Sequence, residues 1–335
     1  LTLQGGTLQT TASFTLNTNR GITLSTDGGT INTNTGTTLT YGGVITGSTA
    51  FTKSGAGTLV LTATNTFTGN ITISAGTLKI DGTGTLESGN YDGTISNAGT
   101  LHYSSTTDQT LGGAISSTGA LTKDETSTLT LSADNTYSGT TTISAGTLTV
   151  SGTLSDSTDV DNSGIYDVDA TDTIQSLTGS GAVQIASGQT LTTGDSGDDE
   201  ISGVISGTGG SLTKVGSGTL TLTGDNTFTG TLTVTLGTII LNDADGDTGT
   251  VLSDSASVIV NGGTVTVSDT SETVSSVTQS SGTINGLLIS SSGYSYAPAL
   301  GVTLTISEVL SGSGGLTKSG AGTLVLTATN TFTGN

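Results

Sequence analysis

The sequence predicts an all-β fold in which short parallel strands coil into a β-solenoid of about 17 to 19 residues per turn. Three observations support this fold class. Short segments alternate apolar residues with threonine, one segment returns after 19 residues, and glycine, asparagine, aspartate and serine interrupt the segments every few residues. No segment shows the apolar period of about 3.6 residues that indicates a helix. The elements are therefore strands, and their spacing sets the architecture.

The strand segments have the two-residue apolar period of a strand with one buried face. GTLVL, which begins at Gly57, recurs as GTLKI at Gly76, 19 residues later. If this offset is one turn of the coil, Leu59 lies over Leu78 at about 4.8 Å. The same offset separates STLTL from GTLTV and GTLTL from GTIIL further along the chain. At this spacing the whole chain makes roughly 18 to 19 turns.

Four copies of a longer unit organise the chain. They start at Thr52, Thr122, Thr213 and Thr317. The last copy stops at Asn335, in the middle of the unit, so we expect the sequence to be a fragment of a longer repetitive chain. We expect residues 1–335 to form a single continuous solenoid, with irregular turns or loops at 151–172 and 268–299, where the repeat pattern is weakest.

Composition excludes several classes of function. The 335 residues contain 6 Lys plus Arg against 26 Asp plus Glu, a formal net charge of −20. So few cations provide no basic surface for nucleic acid and no electrostatic attachment to anionic lipid. No run of about 20 apolar residues is present, so we expect no direct insertion into a membrane. Without cysteine the chain has no disulfide, thiolate metal site or thiol nucleophile.

The repeated pattern LTKxGxGTLxLxxxNTFTGxxTIxxGTL resembles the passenger-associated repeat of bacterial autotransporters and related giant surface proteins. The segment from Thr15 to Gly47 resembles the sequences that commonly lead into that repeat. This resemblance implies a right-handed parallel β-helix that is exported and displayed at a bacterial cell surface. The implied function is structural and adhesive: an extracellular rod or filament, at the surface or in a biofilm matrix.

An asparagine and, two residues later, an aromatic ring recur in every copy of the unit. The pairs are Asn65 and Phe67, Asn135 and Tyr137, Asn226 and Phe228, and Asn330 and Phe332. In one interpretation the amide and the ring contact a glycan. In the other, the asparagine bonds main-chain groups at a corner while the ring covers the edge of the core. Recurrence at one position in every unit favours the structural interpretation.

Each copy also contains one lysine. These are Lys53, Lys123, Lys214 and Lys318, which account for four of the six cations of the chain. We expect them to face outward and to pair with carboxylates on neighbouring turns. Exposed pairs of this kind contribute only about 0 to 1 kcal/mol, so their expected effect is on solubility and register.

Calcium is the one cofactor that the sequence suggests. The segment NDADGD places Asp243, Asp245 and Asp247 at alternate positions around a glycine, and several oxygens could converge there on Ca²⁺. The glycine falls early for an EF-hand loop, and flanking helices are not predicted. The alternative is a solvated turn rich in aspartate and glycine.

A carbohydrate-active β-helix enzyme is the alternative function from a different class. Asp198 and Asp199 form a pair of carboxylates of the kind that glycoside hydrolysis requires. The only histidine, His102, has no carboxylate partner nearby in the sequence, and the only arginine is Arg20. We therefore expect no catalytic site.

Recognition without chemistry is a third function, that of a glycan-binding adhesin. Tyr294 and Tyr296, beside Pro298, would mark a contact surface if their segment is a protruding loop, whereas an ordinary loop would pack back on the solenoid. The expected partners are the chain itself, through head-to-tail stacking or lateral association, other surface components, and glycans.

Overall fold

The computed structural model describes residues 1–243, 251–268 and 270–335. They form an all-β chain of parallel strands that makes about 16 turns of a β-solenoid, which confirms the predicted fold class. The helical structure among these residues is one 3₁₀ turn, Glu87–Gly89. The chain divides into two compact units, unit 1 (Leu1–Asp169) and unit 2 (Ala170–Asn335). The single continuous solenoid and the right-handed sense of the coil stay predictions.

Unit 1 consists of short strands that follow one another around the coil. They are β1 Thr2–Leu3, β2 Thr7–Thr10, β3 Phe14–Leu16, β4 Ile22–Leu24, β5 Gly29–Thr33, β6 Thr38–Tyr41, β7 Ile45–Thr46, β8 Phe51–Ser54, β9 Thr58–Leu61, β10 Ile71–Ile73, β11 Thr77–Gly82, β12 Asn90–Tyr91, β13 Ile95–Asn97, β14 Thr100–Ser105, β15 Gln109–Leu111, β16 Ile115–Ser116, β17 Ala120–Lys123, β18 Thr128–Leu131, β19 Thr141–Ile143, β20 Thr147–Val150, β21 Asp159–Asn162 and β22 Ile165–Val168.

Successive strands of unit 1 belong to different sheets, because each turn passes through up to three faces. One face carries β2, β5, β8, β10, β13 and β16, and a second carries β3, β6, β9, β11, β14, β17, β19 and β21. The third face is formed by β1, β4 and β7 in the first turns and by β12, β15, β18, β20 and β22 further along. The strands of these ladders pair in parallel, as expected when each strand pairs with its equivalent one turn later.

The stacking that the 19-residue offset predicts is confirmed. Leu59 pairs with Leu78, and Leu61 with Ile80. The row continues from turn to turn through Leu39, Leu59, Leu78, Leu101 and Leu121, all of them buried. Burial of one such leucine stabilises the folded state by about 1.5 to 3 kcal/mol. These rows of leucines therefore form a core in a chain that has few aromatic side chains.

The turns vary in length more than the sequence suggests. The paired positions are 19 residues apart between Thr58 and Thr77, but 16 between Glu272 and Leu288 and 26 between Thr231 and Ser257. Corners lie at the surface and accept inserted residues without disturbing the strands. The estimate of 17 to 19 residues per turn is therefore too short for many turns, which is why about 16 turns replace the expected 18 to 19.

Unit 2 combines short strands with three long ones. They are β23 Asp172–Thr173, β24 Ser176–Thr178, β25 Ala182–Ile185, β26 Thr190–Thr193, β27 Asp199–Ile201, β28 Ile205–Ser206, β29 Ser211–Lys214, β30 Thr219–Leu222, β31 Thr231–Val234, β32 Thr238–Leu241, β33 Ser257–Val267, β34 Glu272–Asn285, β35 Leu288–Tyr296, β36 Thr303–Ile306, β37 Gly315–Lys318 and β38 Thr323–Leu326.

The long strands of unit 2 join two faces. β33 pairs with β31 through its first residues and with β32 through its last residues, and β34 and β35 continue the ladder to β37. Register shifts interrupt β33 against β34 and β34 against β35. The interval 268–299 is thus irregular in register, yet it contains β34 and β35 rather than loops. In the interval 151–172, likewise, β21 and β22 are regular strands.

Candidate functional site

The recurring asparagine lies at a corner and bonds to three turns of the coil at once. Asn65 is fully buried. Its Oδ1 accepts a hydrogen bond from the N–H of Ile45 in the preceding turn, at 3.0 Å. Its Nδ2 donates to the carbonyl of Ala63 at 2.8 Å and to that of Thr85 in the following turn at 3.2 Å. The side chain thus supplies the acceptor for the Ile45 N–H. It also adds a second hydrogen bond to each of the two carbonyls, which accept the main-chain N–H groups of Thr85 and Asn65 as well.

The same arrangement returns in the later copies. Asn135 bonds to Ile115 (2.9 Å), Ala133 (2.7 Å) and Thr153 (3.0 Å), and Asn226 bonds to Ile205 (2.7 Å), Gly224 (2.7 Å) and Val251 (2.8 Å). Asn330 makes the first two bonds of the set, to Leu310 at 2.8 Å and Ala328 at 3.0 Å. Repetition of this geometry makes the asparagine a structural part of the corner.

The aromatic ring of each complete copy points into the core, whereas Phe332 of the last copy is half-buried. Phe67, Tyr137 and Phe228 are fully buried. The Phe67 ring lies 5.6 Å from the Phe51 ring and 6.0 Å from the Tyr91 ring, within the range of favourable aromatic contacts. Since these rings are covered, they offer no surface to a glycan.

The recurring lysine faces inward, so the prediction of outward lysines is wrong. Lys53 is fully buried. Its Nζ donates to the carbonyls of Ser54 (2.9 Å), Gly55 (2.7 Å) and Ala75 in the following turn (3.1 Å). Strand alternation explains the inward position, because buried Phe51 precedes the lysine by two residues on the same face. The aliphatic stem lies in the core while the ammonium reaches the carbonyls of the corner.

The other complete copies repeat this arrangement of an inward lysine and its carbonyl acceptors, which we call the lysine clasp. Lys123 bonds to the carbonyls of Asp124, Glu125 and Ala145, and Lys214 to those of Val215 and Gly216. Lys318 bonds to the carbonyls of Ser319 and Gly320, although its side chain is exposed.

Burial lowers the pKa of the clasp lysines. The pKa of Lys53 falls to about 8. Burial likewise lowers the pKa of Lys214, while the carboxylates of Asp199, Asp195 and Asp198 oppose that shift. The acidic cluster thus compensates part of the cost of a buried ammonium.

The carboxylates considered for hydrolysis take part in the architecture of the corner. Asp198 Oδ1 accepts the main-chain N–H of Thr219 in the next turn at 2.9 Å. Asp195 Oδ1 accepts the N–H of Gly197 at 2.6 Å. Asp199, the other member of the proposed pair, begins β27 and acts on Lys214 through its charge.

The structure gives His102 a partner that the sequence does not reveal. Its Nε2 lies 2.7 Å from Oδ2 of Asp124, which follows it by 22 residues on the next turn. Burial raises the pKa of Asp124, but hydrogen bonds from Ser104 and His102, with the charges of His102 and Lys79, hold it below its ordinary value. Knowledge of the strand register would have predicted this contact, because His102 pairs with Thr122, which lies two residues before Asp124.

This cluster does not have the order required for nucleophilic catalysis. Ser104 lowers the pKa of Asp124, and the Asp124 carboxylate in turn contacts the imidazole, so the carboxylate is the group that both of the others act on. In a catalytic triad the imidazole lies between the nucleophile and the carboxylate.

Only part of the predicted calcium site can be located. Asp243 is described, whereas Asp245 and Asp247 lie outside the described residues. Within residues 1–243, 251–268 and 270–335, no group of three or more histidine, aspartate or glutamate side chains could hold a metal ion. Calcium binding by the NDADGD segment therefore stays a prediction.

Tyr294 and Tyr296 lie in the strand β35, so neither alternative, a protruding loop or a loop packed back on the solenoid, describes this segment. Both are buried, and their rings stack in parallel with centroids 6.3 Å apart. Tyr294 Oη lies 2.7 Å from the carbonyl oxygen of Ser311 and accepts the N–H of Ser290 at 3.1 Å. Alternation with two-residue spacing carries both rings to the inner face of the strand.

In the part of the chain that the structure describes, no helix has the length and apolar character needed to cross a membrane. The passenger-associated-transport-repeat family matches the chain four times, at residues 51–80, 121–150, 212–241 and 316–335. Each match contains the lysine and the asparagine described above. No solved structure matches the chain.

A curated relative is similar over a longer stretch. The adhesin BmaC autotransporter of Brucella suis biovar 1 (strain 1330) is 38% identical over 259 residues, which cover 67% of this chain. The matched region spans only 7% of the length of that relative. The four repeats and this similarity identify the chain as an autotransporter passenger repeat protein.

Proposed function

We propose that the chain is a structural and adhesive segment of a protein displayed outside a bacterial cell, where the solenoid serves as a stiff rod that holds adhesive surface away from the cell. The observation that carries the structural part is the inward direction of the recurring side chains. In each complete copy the asparagine, the ring and the lysine are buried, so the repeat builds a scaffold. A scaffold of parallel ladders resists extension because neighbouring turns are joined along their whole width.

Support for adhesion and for surface location comes from the relative, whose name describes an adhesin autotransporter. The net charge of −20 supports a soluble, extended segment, because like charges on neighbouring rods discourage uncontrolled lateral aggregation.

The proposed role is not enzymatic. The carboxylates Asp195 and Asp198 accept main-chain N–H groups, and the Asp124 carboxylate contacts the His102 imidazole. These contacts join the three carboxylates to neighbouring groups of the solenoid.

Adhesion is tested with beads that carry the purified chain. We expect coated beads to attach to epithelial cells or extracellular-matrix proteins in larger numbers than uncoated beads. The matched control is the triple variant Asn65→Leu, Asn135→Leu, Asn226→Leu, which keeps the net charge but loses the corner bonds. Attachment by the native chain and not by the variant supports a role for the folded solenoid. Equal attachment by coated and uncoated beads would contradict adhesion.

Location is tested separately with antibodies raised against the chain. Labelling of intact cells of the source bacterium is expected. Labelling that appears only after the cells are permeabilised would contradict surface display.

A further inference from the structure

Unit 2 contains a cavity of about 60 Å³ that the repeat does not explain. It lies between β34, β35 and the segment 305–310, beside the asparagine corner of the last copy, where the Leu310 N–H bonds to Asn330 Oδ1. Its residues belong to the part of the chain with the longest strands and the interrupted register.

One part of the cavity wall is aliphatic. Val277, Leu288 and Leu310 line it, and all three are buried. An occupant therefore gains by placing apolar atoms against these side chains.

One buried polar atom in the lining has no partner. Gln279 is 1% exposed, and its Nε2 donates to the carbonyl of Gly282 at 2.9 Å. Its Oε1 is buried without a hydrogen-bond partner. A buried amide oxygen is costly to leave unsatisfied, so this site favours an occupant that donates a hydrogen bond.

The charge of the lining favours a cationic donor. Glu308, which is half-buried, is the charged residue among those that line the cavity. Its carboxylate is an acceptor, like Gln279 Oε1, and the whole chain carries −20. An ammonium group is a donor for acceptors of either kind and is attracted by the surrounding negative charge, whereas an anion is repelled.

Two aromatic rings add to the preference for a cation. Tyr294 and Tyr296 both line the cavity, with their rings parallel and 6.3 Å apart. A cation within about 6 Å of such a ring is stabilised by the ring quadrupole.

The size of the cavity excludes large ligands. A single water occupies roughly 10 to 15 Å³ on this measure, so the cavity has room for a few waters or a short chain. Pockets for drug-sized ligands measure about 300 to 1,000 Å³. A sugar ring or a nucleotide is therefore too large, and a linear group of a few heavy atoms fits.

We propose that this cavity binds a primary ammonium carried on a short aliphatic chain. The aliphatic part packs against Val277, Leu288 and Leu310, and the ammonium donates to Gln279 Oε1 and the Glu308 carboxylate. A lysine side chain of a partner polypeptide and a free alkylamine share this chemistry. The proposal is independent of the adhesive role.

The experiment is a calorimetric titration of the full chain with n-butylammonium chloride at constant ionic strength. Saturable binding to one site is expected, and n-butanol, which lacks the charge, should bind at least about tenfold more weakly. Gln279→Met removes the acceptor and keeps an unbranched side chain, while Glu308→Gln removes the charge. Each should weaken n-butylammonium binding about tenfold or more. The control Asp254→Asn removes an exposed carboxylate of the same unit that does not line the cavity, and should leave binding unchanged.

The source of the ammonium is separated by a second titration, with lysine blocked as its N-acetyl methylamide. Binding of blocked lysine at least as tight as that of n-butylammonium supports a polypeptide partner, and weaker binding supports a free alkylamine. The proposal is overturned if n-butylammonium shows no saturable binding, if n-butanol binds equally well, or if Glu308→Gln has the same effect as Asp254→Asn. Glu308→Gln keeps the test decisive if Gln279→Met fails to fold, as circular dichroism would show.

Discussion

At the scale of single residues, one asparagine joins three turns. The amide has an acceptor and two donors, and Asn135 uses all of them on main-chain groups of the preceding, same and following turns. A leucine of similar size at this position would leave the Ile115 N–H and the Ala133 carbonyl without the amide, whereas the Thr153 carbonyl keeps its bond from the Asn135 main-chain N–H. Each unsatisfied buried group costs about 1 to 3 kcal/mol.

We therefore predict that Asn135→Leu destabilises unit 1 by at least about 2 kcal/mol, because two buried groups lose their partner. Urea denaturation measures the total effect, and amide hydrogen exchange at Ile115 measures the local one, since its N–H loses its acceptor. Asn330→Leu is the matched control, because Asn330 has two such bonds and is only half-buried, and its effect should be clearly smaller. Equal effects of the two substitutions would contradict this account.

The lysine clasp makes stability depend on pH in a defined direction. The pKa of Lys53 is about 8 in the folded chain, against an ordinary value of 10.5. Between these values the unfolded state binds more protons than the folded state, so stability rises as pH increases. Buried tyrosines act in the opposite direction at higher pH, since burial raises the pKa of Tyr103 to about 12 and only the unfolded tyrosine ionises near 10.

The prediction is an increase in the urea midpoint of unit 1 between pH 7.5 and 9.5, and a smaller increase in Lys53→Met. The methionine retains the unbranched stem and removes the titrating group. If the urea midpoint of Lys53→Met rises with pH as steeply as that of the native chain, the ammonium of Lys53 is not the source of the pH dependence.

At the scale of elements, the corners between strands restrict the choice of residue more than the strands do. Gly76 precedes β11 with φ 67°, and a Cβ there would lie 2.2 Å from the carbonyl oxygen of Gly57 in the turn before. Neighbouring turns approach so closely that only glycine fits. Gly36 has nearly the same conformation, φ 72°, with no atom within 4 Å of a Cβ.

Substitution of these two glycines separates the cost of backbone strain from the cost of crowding between turns. Gly36→Ala should cost about 1 to 2 kcal/mol, the cost of a left-handed conformation for a residue with a Cβ. Gly76→Ala introduces the same backbone strain and must also push two turns apart. We therefore predict that it lowers the free energy of unfolding at least about twice as much as Gly36→Ala. Thermal unfolding of both variants provides the comparison. Equal losses would mean that the turns are less closely packed than described.

The strands and their register could be predicted from the sequence because the repeat supplies both. Leu59 over Leu78 follows from an offset that recurs in every complete copy. The direction of Lys53 could be read from strand alternation as well, but its charge favoured an outward interpretation. The contact of His102 with Asp124 could not be read from the 19-residue offset, because the ladder partner of His102 is Thr122, 20 residues later, and Asp124 lies two residues beyond it.

At the scale of the whole molecule, a chain with little aromatic content and a charge of −20 folds by repetition. Each turn buries a few aliphatic side chains against its neighbours, and no single turn has a core of its own. The fold class was predictable because the ladder spacing and the strand period are properties of any parallel coil. Turn lengths were not, since an inserted corner residue changes the length without changing the ladder.

The central claim, that successive turns stack in parallel, is tested most directly by electron-spin distances. The chain contains no cysteine, so pairs of spin labels can be placed without background. One row runs through Thr40, Val60, Lys79, His102, Thr122, Thr142 and Asp161, each paired with the next.

Labels are placed on cysteines that replace Thr40 and one of Thr122, Thr142 or Asp161, which lie four, five and six ladder steps away. A parallel coil predicts mean distances of about 19, 24 and 29 Å, rising by about 4.8 Å with each step. Distances that do not rise by a constant step along this row, as in antiparallel hairpins or a sandwich, would contradict the solenoid and the function proposed from it.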